Sequence, residues 1–178
     1  MILACGDETS SLPVVSNEPE PPCRTSSEDN CEYGVLVDDR DGQTYKTVKI
    51  RNQWWMKENL KFRYVQPTST LDSCSFCYND TLEYCGMDGR LYLWSAAMDS
   101  AGVYTDNGKG CGNGSDYNGQ YDYSRRVYYG NDAVYWSTAS KDSLNSVALI
   151  LRSADHHVSF GAYGYAKFNT APVRCVKD

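Results

Sequence analysis

The sequence predicts an α+β domain made mostly of short antiparallel strands, with one main helix and disulfide cross-links. Three observations support this fold class. Runs of β-branched and aromatic residues recur between Gly, Asn and Asp turn signals. A single segment carries an extended helical stripe of apolar residues, and the chain of 178 residues contains eight cysteines. This length is enough for one modest core and a tail.

Residues 1–32 are predicted to be a solvated acidic tether, and residues 33–178 to be the folded domain. Of the 23 acidic and 17 basic residues, 7 and 1 lie in the tether, so the net charge of −6 belongs to it. The tether has few large apolar groups and four of the six prolines, so it cannot bury enough surface to offset its chain entropy. The domain is neutral and has no basic surface for nucleic acid.

The N-terminal run Met1-Ile-Leu-Ala-Cys5-Gly-Asp is similar to the end of a bacterial lipoprotein signal, in which a small residue precedes the lipid-bearing cysteine. Cys5 is therefore the predicted lipidation site. A disordered N-terminus that happens to contain a cysteine is the alternative. No stretch approaches the roughly 20 apolar residues of a membrane span. The predicted location is extracytoplasmic, with a lipid anchor to the bacterial envelope, at the outer membrane or cell surface.

The domain begins with a predicted hairpin. Val35–Val37 and Thr44–Ile50 read as strands, and the polar run Asp38–Gly42 joins them. The aspartates of this run lack the regular spacing of calcium ligands, so they are interpreted as turn residues. Trp54 and Trp55 follow on the next strand. Adjacent strand residues point to opposite sides, so we expect one of them to enter the core.

The main helix is predicted from about Arg90 to Ala101. Apolar residues recur there at helical spacing, and Gly102 follows as a stop signal. The stripe is interpreted as core rather than as a cofactor contact: Leu91, Trp94, Ala97, Met98 and Ala101.

The second half of the domain is predicted to be strands and loops. Thr105–Ser115 is a glycine-rich loop without the register of a phosphate-binding loop. Tyr117–Trp136 is rich in tyrosine and turn signals, which favours short strands joined by tight turns. The closing strands are predicted at Ser146–Leu151, Val158–Phe168 and Val173–Val176.

Five blocks occur in a fixed order along the chain: Asp41–Ile50, Gln53–Leu60, Gly89–Trp94, Tyr135–Thr138 and Ala171–Asp178. Together they resemble the Fibrobacter succinogenes major paralogous domain, a bacterial extracytoplasmic module often found on lipoproteins and large surface proteins. The resemblance covers roughly Tyr33 to Asp178. It implies a C-type-lectin-like fold, related to that of formylglycine-generating enzymes. The second helix of such folds is absent here, which implies an internal deletion.

Eight cysteines in a chain of this size indicate an oxidising compartment. Cys23 and Cys31 flank a short polar loop, and related modules carry a pair at the position of Cys77 and Cys85. The deletion removes the usual partner of Cys175, and the resemblance then leaves Cys111 for it. The predicted disulfides are Cys23–Cys31, Cys77–Cys85 and Cys111–Cys175, with Cys74 left over.

Cys74-Ser-Phe-Cys77 also has the C-x-x-C spacing of zinc and redox sites. A structural zinc site needs a second pair of ligands, which is missing. A thioredoxin-like site needs a helix start within a βαβ unit, and no such pattern surrounds the motif. No metal and no cofactor are therefore predicted.

The favoured function is a non-catalytic binding module for carbohydrate or another extracellular polymer. Flat rings with polar edges suit sugar faces and wet interfaces. Packing of short strands is the competing explanation for the same side chains. The candidate ligand-binding residues are Tyr121, Tyr123, Tyr128, Tyr129 and Trp136.

Two other functions are weighed. A structural or assembly module of a surface complex is the first alternative, with a surface protein as partner and Cys74 available for an intermolecular bridge. An enzyme is the second. His156 and His157 are the only histidines, and neither has a neighbouring nucleophile in sequence. The active-site cysteines of formylglycine-generating enzymes are not visibly reproduced, so catalysis is not predicted.

Overall fold

The structure is a computed structural model that describes residues 21–65, 74–100, 132–153, 158–160, 165–167 and 169–177. The strands are β1 (Tyr33–Val37), β2 (Thr44–Ile50), β3 (Gln53–Met56), β4 (Ser75–Phe76), β5 (Leu91–Leu93), β6 (Asp132–Ser140), β7 (Asn145–Arg152), β8 (Val158–Phe160), β9 (Tyr165–Ala166), β10 (Thr170–Ala171) and β11 (Val176–Lys177). The helices are α1 (Leu82–Asp88) and α2 (Trp94–Ser100), and Tyr78–Asp80 forms a 3-10 turn. The mixed, mostly antiparallel class is confirmed.

The described strands form three sheets in which every pairing is antiparallel. The first has the order β1-β2-β3-β11 and the second the order β10-β5-β4. The third has the order β6-β7-β8, and β9 also pairs with β7. Because β11 lies beside β3, the C-terminal end of the domain completes the sheet that the N-terminal hairpin begins.

The predicted hairpin is confirmed. Tyr33 lies opposite Val48 and Val37 opposite Thr44, so β1 and β2 pair along their length. The turn closes through Gly42, whose amide donates to the Asp38 carbonyl at 2.7 Å. Gly42 has φ +74°, a conformation that other residues adopt at a cost. The aspartates of this run therefore serve as turn residues.

The expectation that one of the two adjacent tryptophans enters the core is wrong. Trp54 and Trp55 are both half-buried, and Met56 is the residue of β3 that is buried in the core. The Trp54 ring lies across Gly34 of β1, with Cζ3 3.0 Å from the position that a Cβ would occupy there. The short strand β3 thus spreads its two large rings over opposite faces of a small sheet.

The predicted helix from Arg90 to Ala101 begins too early. Leu91–Leu93 form β5, which pairs with β4 on one side and β10 on the other, and α2 starts only at Trp94. A helical pattern over these three residues stabilises a helix less than hydrogen bonds to strands on both sides stabilise a strand. Pairing within the sheet therefore decides their conformation. The core assignment is confirmed for Trp94, Ala97 and Met98, which are buried.

The helix α1 was not predicted, and Gly89 ends it. Gly89 has φ +82° and ψ −174°, a region that is essentially restricted to glycine. A Cβ at this position would lie 2.6 Å from the Asn59 Cβ and 3.0 Å from the carbonyl oxygens of Asn59 and Leu60. The chain can therefore turn out of α1 against residues 59 and 60 only because this residue is glycine.

The core contains residues of all three sheets, and two tryptophans link the second sheet to the third. The Trp136 indole on β6 donates to the Tyr92 carbonyl on β5 at 2.7 Å. The Trp94 indole donates to the Ser137 carbonyl on β6 at 3.1 Å. These reciprocal bonds satisfy both buried N–H groups and fix the second sheet against the third.

The C-terminal block is bonded to the block around residue 60. The Leu60 amide donates to the Val173 carbonyl at 2.8 Å, and the Met56 amide donates to the Cys175 carbonyl at 3.1 Å. Arg174 Nε donates to Asn59 Oδ1 at 2.8 Å. The five blocks therefore meet in one framework, and the role they show in this structure is to hold the sheets together.

The disulfides Cys23–Cys31 and Cys77–Cys85 are present as predicted. Cys175 is also disulfide-bonded, as expected, but its predicted partner Cys111 lies outside the described residues. The expectation that Cys74 is left over is wrong, because Cys74 is disulfide-bonded and fully buried beside β5.

Candidate binding surface

Trp136 is not a ligand-binding residue, which corrects the sequence prediction. Its side chain is 0% exposed, its N–H is bonded to Tyr92, and its ring makes an edge contact with Tyr165 at 5.0 Å between centroids. No face of the indole is available to a ligand. Alternation along β6 cannot show this, because a core ring and a sugar-stacking ring look the same in sequence.

The other predicted site residues lie outside the described part of the chain. These are the four tyrosines Tyr121, Tyr123, Tyr128 and Tyr129, the lipidation candidate Cys5, and the two histidines His156 and His157. Their roles stay predictions.

A cation lies over several aromatic rings of the described residues. Arg40 Cζ is 4.2 Å from the Phe62 ring centroid, and Lys167 Nζ is 4.4 Å from that of Trp94. Such contacts contribute about 0.5–1 kcal/mol at exposed sites. They also occupy one face of each ring, so these rings are poor platforms for stacking against a sugar.

The first sheet exposes a surface of apolar side chains with one lysine among them, which we call the outer face: Tyr33, Val35, Val37, Lys46 and Ile50. Alternation along β1 sends Gly34 and Leu36 toward the interior and the odd-numbered residues outward. Val35 is 69% exposed and lies directly opposite Lys46, while Tyr33 lies opposite Val48. Tyr33, Val35 and Val37 thus form an exposed row along β1, and Ile50 is exposed on the same side of β2 beyond Val48. Exposed apolar surfaces of this kind commonly mark interaction sites.

Lysines flank the outer face. The Lys57 amide donates to the Lys46 carbonyl at 2.8 Å, which places residue 57 beside β2 just beyond β3. Its Nζ is 4.4 Å from the Tyr33 ring centroid. The Glu58 carboxylate accepts a bond from the Lys46 amide at 3.1 Å. Long basic side chains with apolar stems can cover and extend an apolar surface while their heads stay in water.

The loop closed by Cys23–Cys31 is attached at one end of the outer face. The Tyr33 hydroxyl donates to the Asp29 carboxylate at 2.7 Å, and Lys49 Nζ lies 3.0 Å from the Glu32 carboxylate. The bond from Tyr33 lowers the pKa of Asp29 and in turn raises the pKa of Tyr33. Residues preceding the domain therefore lead away from the end of β1, next to the exposed row.

The strand β1 is at the edge of its sheet. It pairs with β2 on one side and with no other described strand on the opposite side. Unpaired backbone groups beside exposed aliphatic residues can bind another extended chain, and proteins usually protect such edges. In the sequence, the run Tyr33-Gly-Val-Leu-Val37 indicates this surface. Its apolar residues occupy both faces of the strand, so one apolar face remains outside the core.

Among the described residues, no group of three His, Cys, Asp or Glu side chains could hold a metal ion. Tyr92 has a pKa raised strongly by burial, but its hydroxyl donates to the Phe62 carbonyl at 2.6 Å and lies in the core. In the described part of the chain no helix is both long and apolar enough to span a bilayer.

Comparison of this chain with protein-family models, with curated proteins and with solved structures finds no match.

Proposed function

We propose that the chain is a bacterial surface lipoprotein carrying a non-catalytic binding module for an extracellular polymer. The observation that carries this proposal is the outer face, an exposed aliphatic and tyrosine row with flanking lysines on a disulfide-containing domain. The two disulfides support an oxidising location. Carbohydrate is the polymer that the aromatic-rich sequence favours, because flat rings with polar edges suit sugar faces.

The proposed anchoring is through lipid on Cys5, with residues 6–32 as the tether. The acidic tether carries the net negative charge of the chain and would hold the neutral domain away from an anionic surface by repulsion. Asp29 and Glu32, near the end of this segment, are bonded to residues of β1 and β2, so this end lies near the outer face.

A structural or assembly role is the second candidate, and the aliphatic character of the outer face favours it. Sugar-binding surfaces rely on exposed aromatic rings, whereas Val35, Val37 and Ile50 suit contacts with another protein. An edge strand can also pair with a strand of a partner. The two candidates therefore differ in ligand, and both use the same surface.

The test combines a polymer pull-down with a protein-association assay on the purified chain. Soluble and insoluble polysaccharides, including cellulose, are screened for retention of the protein, and sedimentation velocity records self-association. Val35→Glu places a charge in the centre of the outer face. Val158→Glu is the matched control, because Val158 is 59% exposed on β8 of another sheet.

Retention on a polysaccharide that Val35→Glu abolishes and Val158→Glu preserves would support the binding module. Self-association lost only in Val35→Glu would instead favour the assembly role. If both variants behave like the unmodified chain in every assay, the outer face is not the binding surface and the proposal fails.

A further inference from the structure

Arg90 is a buried cation with one side-chain hydrogen bond. It follows Gly89 at the end of α1, and the residue is 9% exposed. Its amide donates to the Leu60 carbonyl at 2.9 Å, and Nη1 donates to the Ser75 carbonyl at 3.1 Å. Among the described residues no carboxylate pairs with it. Burying a guanidinium without a counter-charge is costly, so this placement needs an explanation.

The open edge of Arg90 is the one that binds carboxylates. Nε and Nη2 of a guanidinium form two parallel donors, and Arg40 uses this edge to bind Asp38, with distances of 2.8 Å from Nε and 2.6 Å from Nη2. The same edge of Arg90 makes no hydrogen bond to the described residues. Among the described residues, Trp55 Nε1 is the side-chain nitrogen that is enclosed by protein and has no hydrogen-bond partner, and no nitrogen of Arg90 is of this kind. The Nε and Nη2 edge of Arg90 is therefore in contact with solvent.

Arg63 adds a second positive charge beside Arg90. The Tyr64 amide donates to Ser75 Oγ at 2.9 Å, while the Ser75 carbonyl accepts from Arg90, so one serine holds both segments together. Arg63 is exposed. Burial lowers the pKa of Arg90 below its ordinary value, and the positive charge of Arg63 adds to the effect. Two guanidiniums without a described acidic partner attract an anion.

We propose that Arg90 and Arg63 bind the carboxylate of an acidic saccharide unit, such as a uronic acid. Arg90 supplies the planar two-donor edge on a rigid support between β4 and β5, and Arg63 supplies charge from the solvent side. A planar carboxylate matches the Arg90 edge as Asp38 matches Arg40. The two arginines are not part of the outer face, since Arg90 is bonded to Ser75 of the second sheet. The inference rests on the proposed polymer-binding function, adds a second contact to it, and narrows the ligand to acidic polysaccharides.

The test is calorimetric titration of the full chain with a short oligogalacturonate, its methyl ester, and a neutral oligosaccharide of the same length. The methyl ester keeps the sugar and removes the charge. The variants are Arg63→Gln, Arg90→Lys and Arg90→Gln, with Arg152→Gln as control, since Arg152 is an exposed arginine at the end of β7. Loss of a hydrogen bond to a charged group is expected to weaken the affinity by about 10- to 100-fold.

The expected result is binding of oligogalacturonate that weakens at least 10-fold in the methyl ester and in both Arg90 variants, in line with the loss of charge-assisted hydrogen bonds. Arg63→Gln should weaken binding less but still measurably, and Arg152→Gln should leave it unchanged. Because Arg63 is exposed, that variant keeps the test valid if the Arg90 variants do not fold.

Three results would overturn the inference. If ester and acid bind equally, the carboxylate is not recognised, although polysaccharide binding itself stands. If acidic peptides bind through the two arginines and oligogalacturonate does not, the ligand class is wrong. If no saccharide of any kind binds here or in the polymer screen, the carbohydrate function fails together with this inference.

Discussion

Gly89→Ala is the substitution for which the structure predicts the sharpest loss of stability. Gly89 joins α1 to β5, and its φ of +82° with ψ of −174° is strained for any residue with a Cβ. The new methyl would lie 2.6 Å from the Asn59 Cβ and 3.0 Å from two backbone carbonyl oxygens. None of these atoms is the end of a flexible side chain, so the backbone itself has to move.

Two costs add in this variant. The backbone conformation costs about 1–3 kcal/mol for a residue other than glycine. Forcing a methyl against a packed backbone costs about 1–3 kcal/mol more. We therefore expect a loss of about 2–6 kcal/mol in the free energy of unfolding, against a typical total of about 5–15 kcal/mol. The bonds at risk are those from the Arg90 amide to Leu60 and from Asn59 Nδ2 to the Asp88 carbonyl, at 2.9 Å and 2.7 Å.

Gly86→Ala is the matched control, three residues earlier in the chain. Gly86 lies within α1 with no atom within 4 Å of the position its Cβ would occupy. Alanine there should be neutral or should stabilise the domain by up to about 1 kcal/mol. The assay is urea unfolding followed by tryptophan fluorescence. Equal midpoints for the two variants would refute the strain argument.

Three further predictions follow from the core, the disulfides and one ion pair. Trp136→Phe keeps an aromatic ring but leaves the Tyr92 carbonyl without its donor, and should cost about 2–4 kcal/mol in chemical unfolding; an unchanged midpoint would place the indole outside the core. Removing the bridge by the double change Cys77→Ser and Cys85→Ser should cost about 2–3 kcal/mol, from the entropy of its short loop; a calorimetric scan that matches the unmodified chain would contradict this. The bond from Arg40 holds the pKa of Asp38 below its ordinary value, so the stabilisation it gives is complete above the unfolded pKa of about 3.9 and is lost as pH falls through the lower native pKa. The difference in unfolding free energy between the unmodified chain and Asp38→Asn should therefore shrink below about pH 4, and a difference that is constant from pH 3 to pH 7 would show that the carboxylate is not paired.

Several features could be predicted from the sequence because they depend on neighbouring residues. The β1-β2 hairpin is such a case, since strand alternation and a turn ending in glycine are local properties. The bridge between Cys23 and Cys31 is another case, because the two cysteines are eight residues apart and the short segment between them keeps them close together. The buried stripe around Trp94 follows from helical periodicity. Composition alone also separated the acidic N-terminal segment from the neutral domain.

What the tertiary structure decided depends on residues far apart in the chain. Leu91–Leu93 are a strand because two partner strands bond to them, although their local pattern favours a helix. Trp136 is a core residue and not a ligand platform, because the carbonyl that its indole meets is 44 residues away. Arg90 is a candidate anion site because its guanidinium is bonded on one side to Ser75, 15 residues away, while its Nε and Nη2 edge stays open. Periodicity records which side of an element a residue occupies, whereas the identity of its neighbours is set by how the sheets pack.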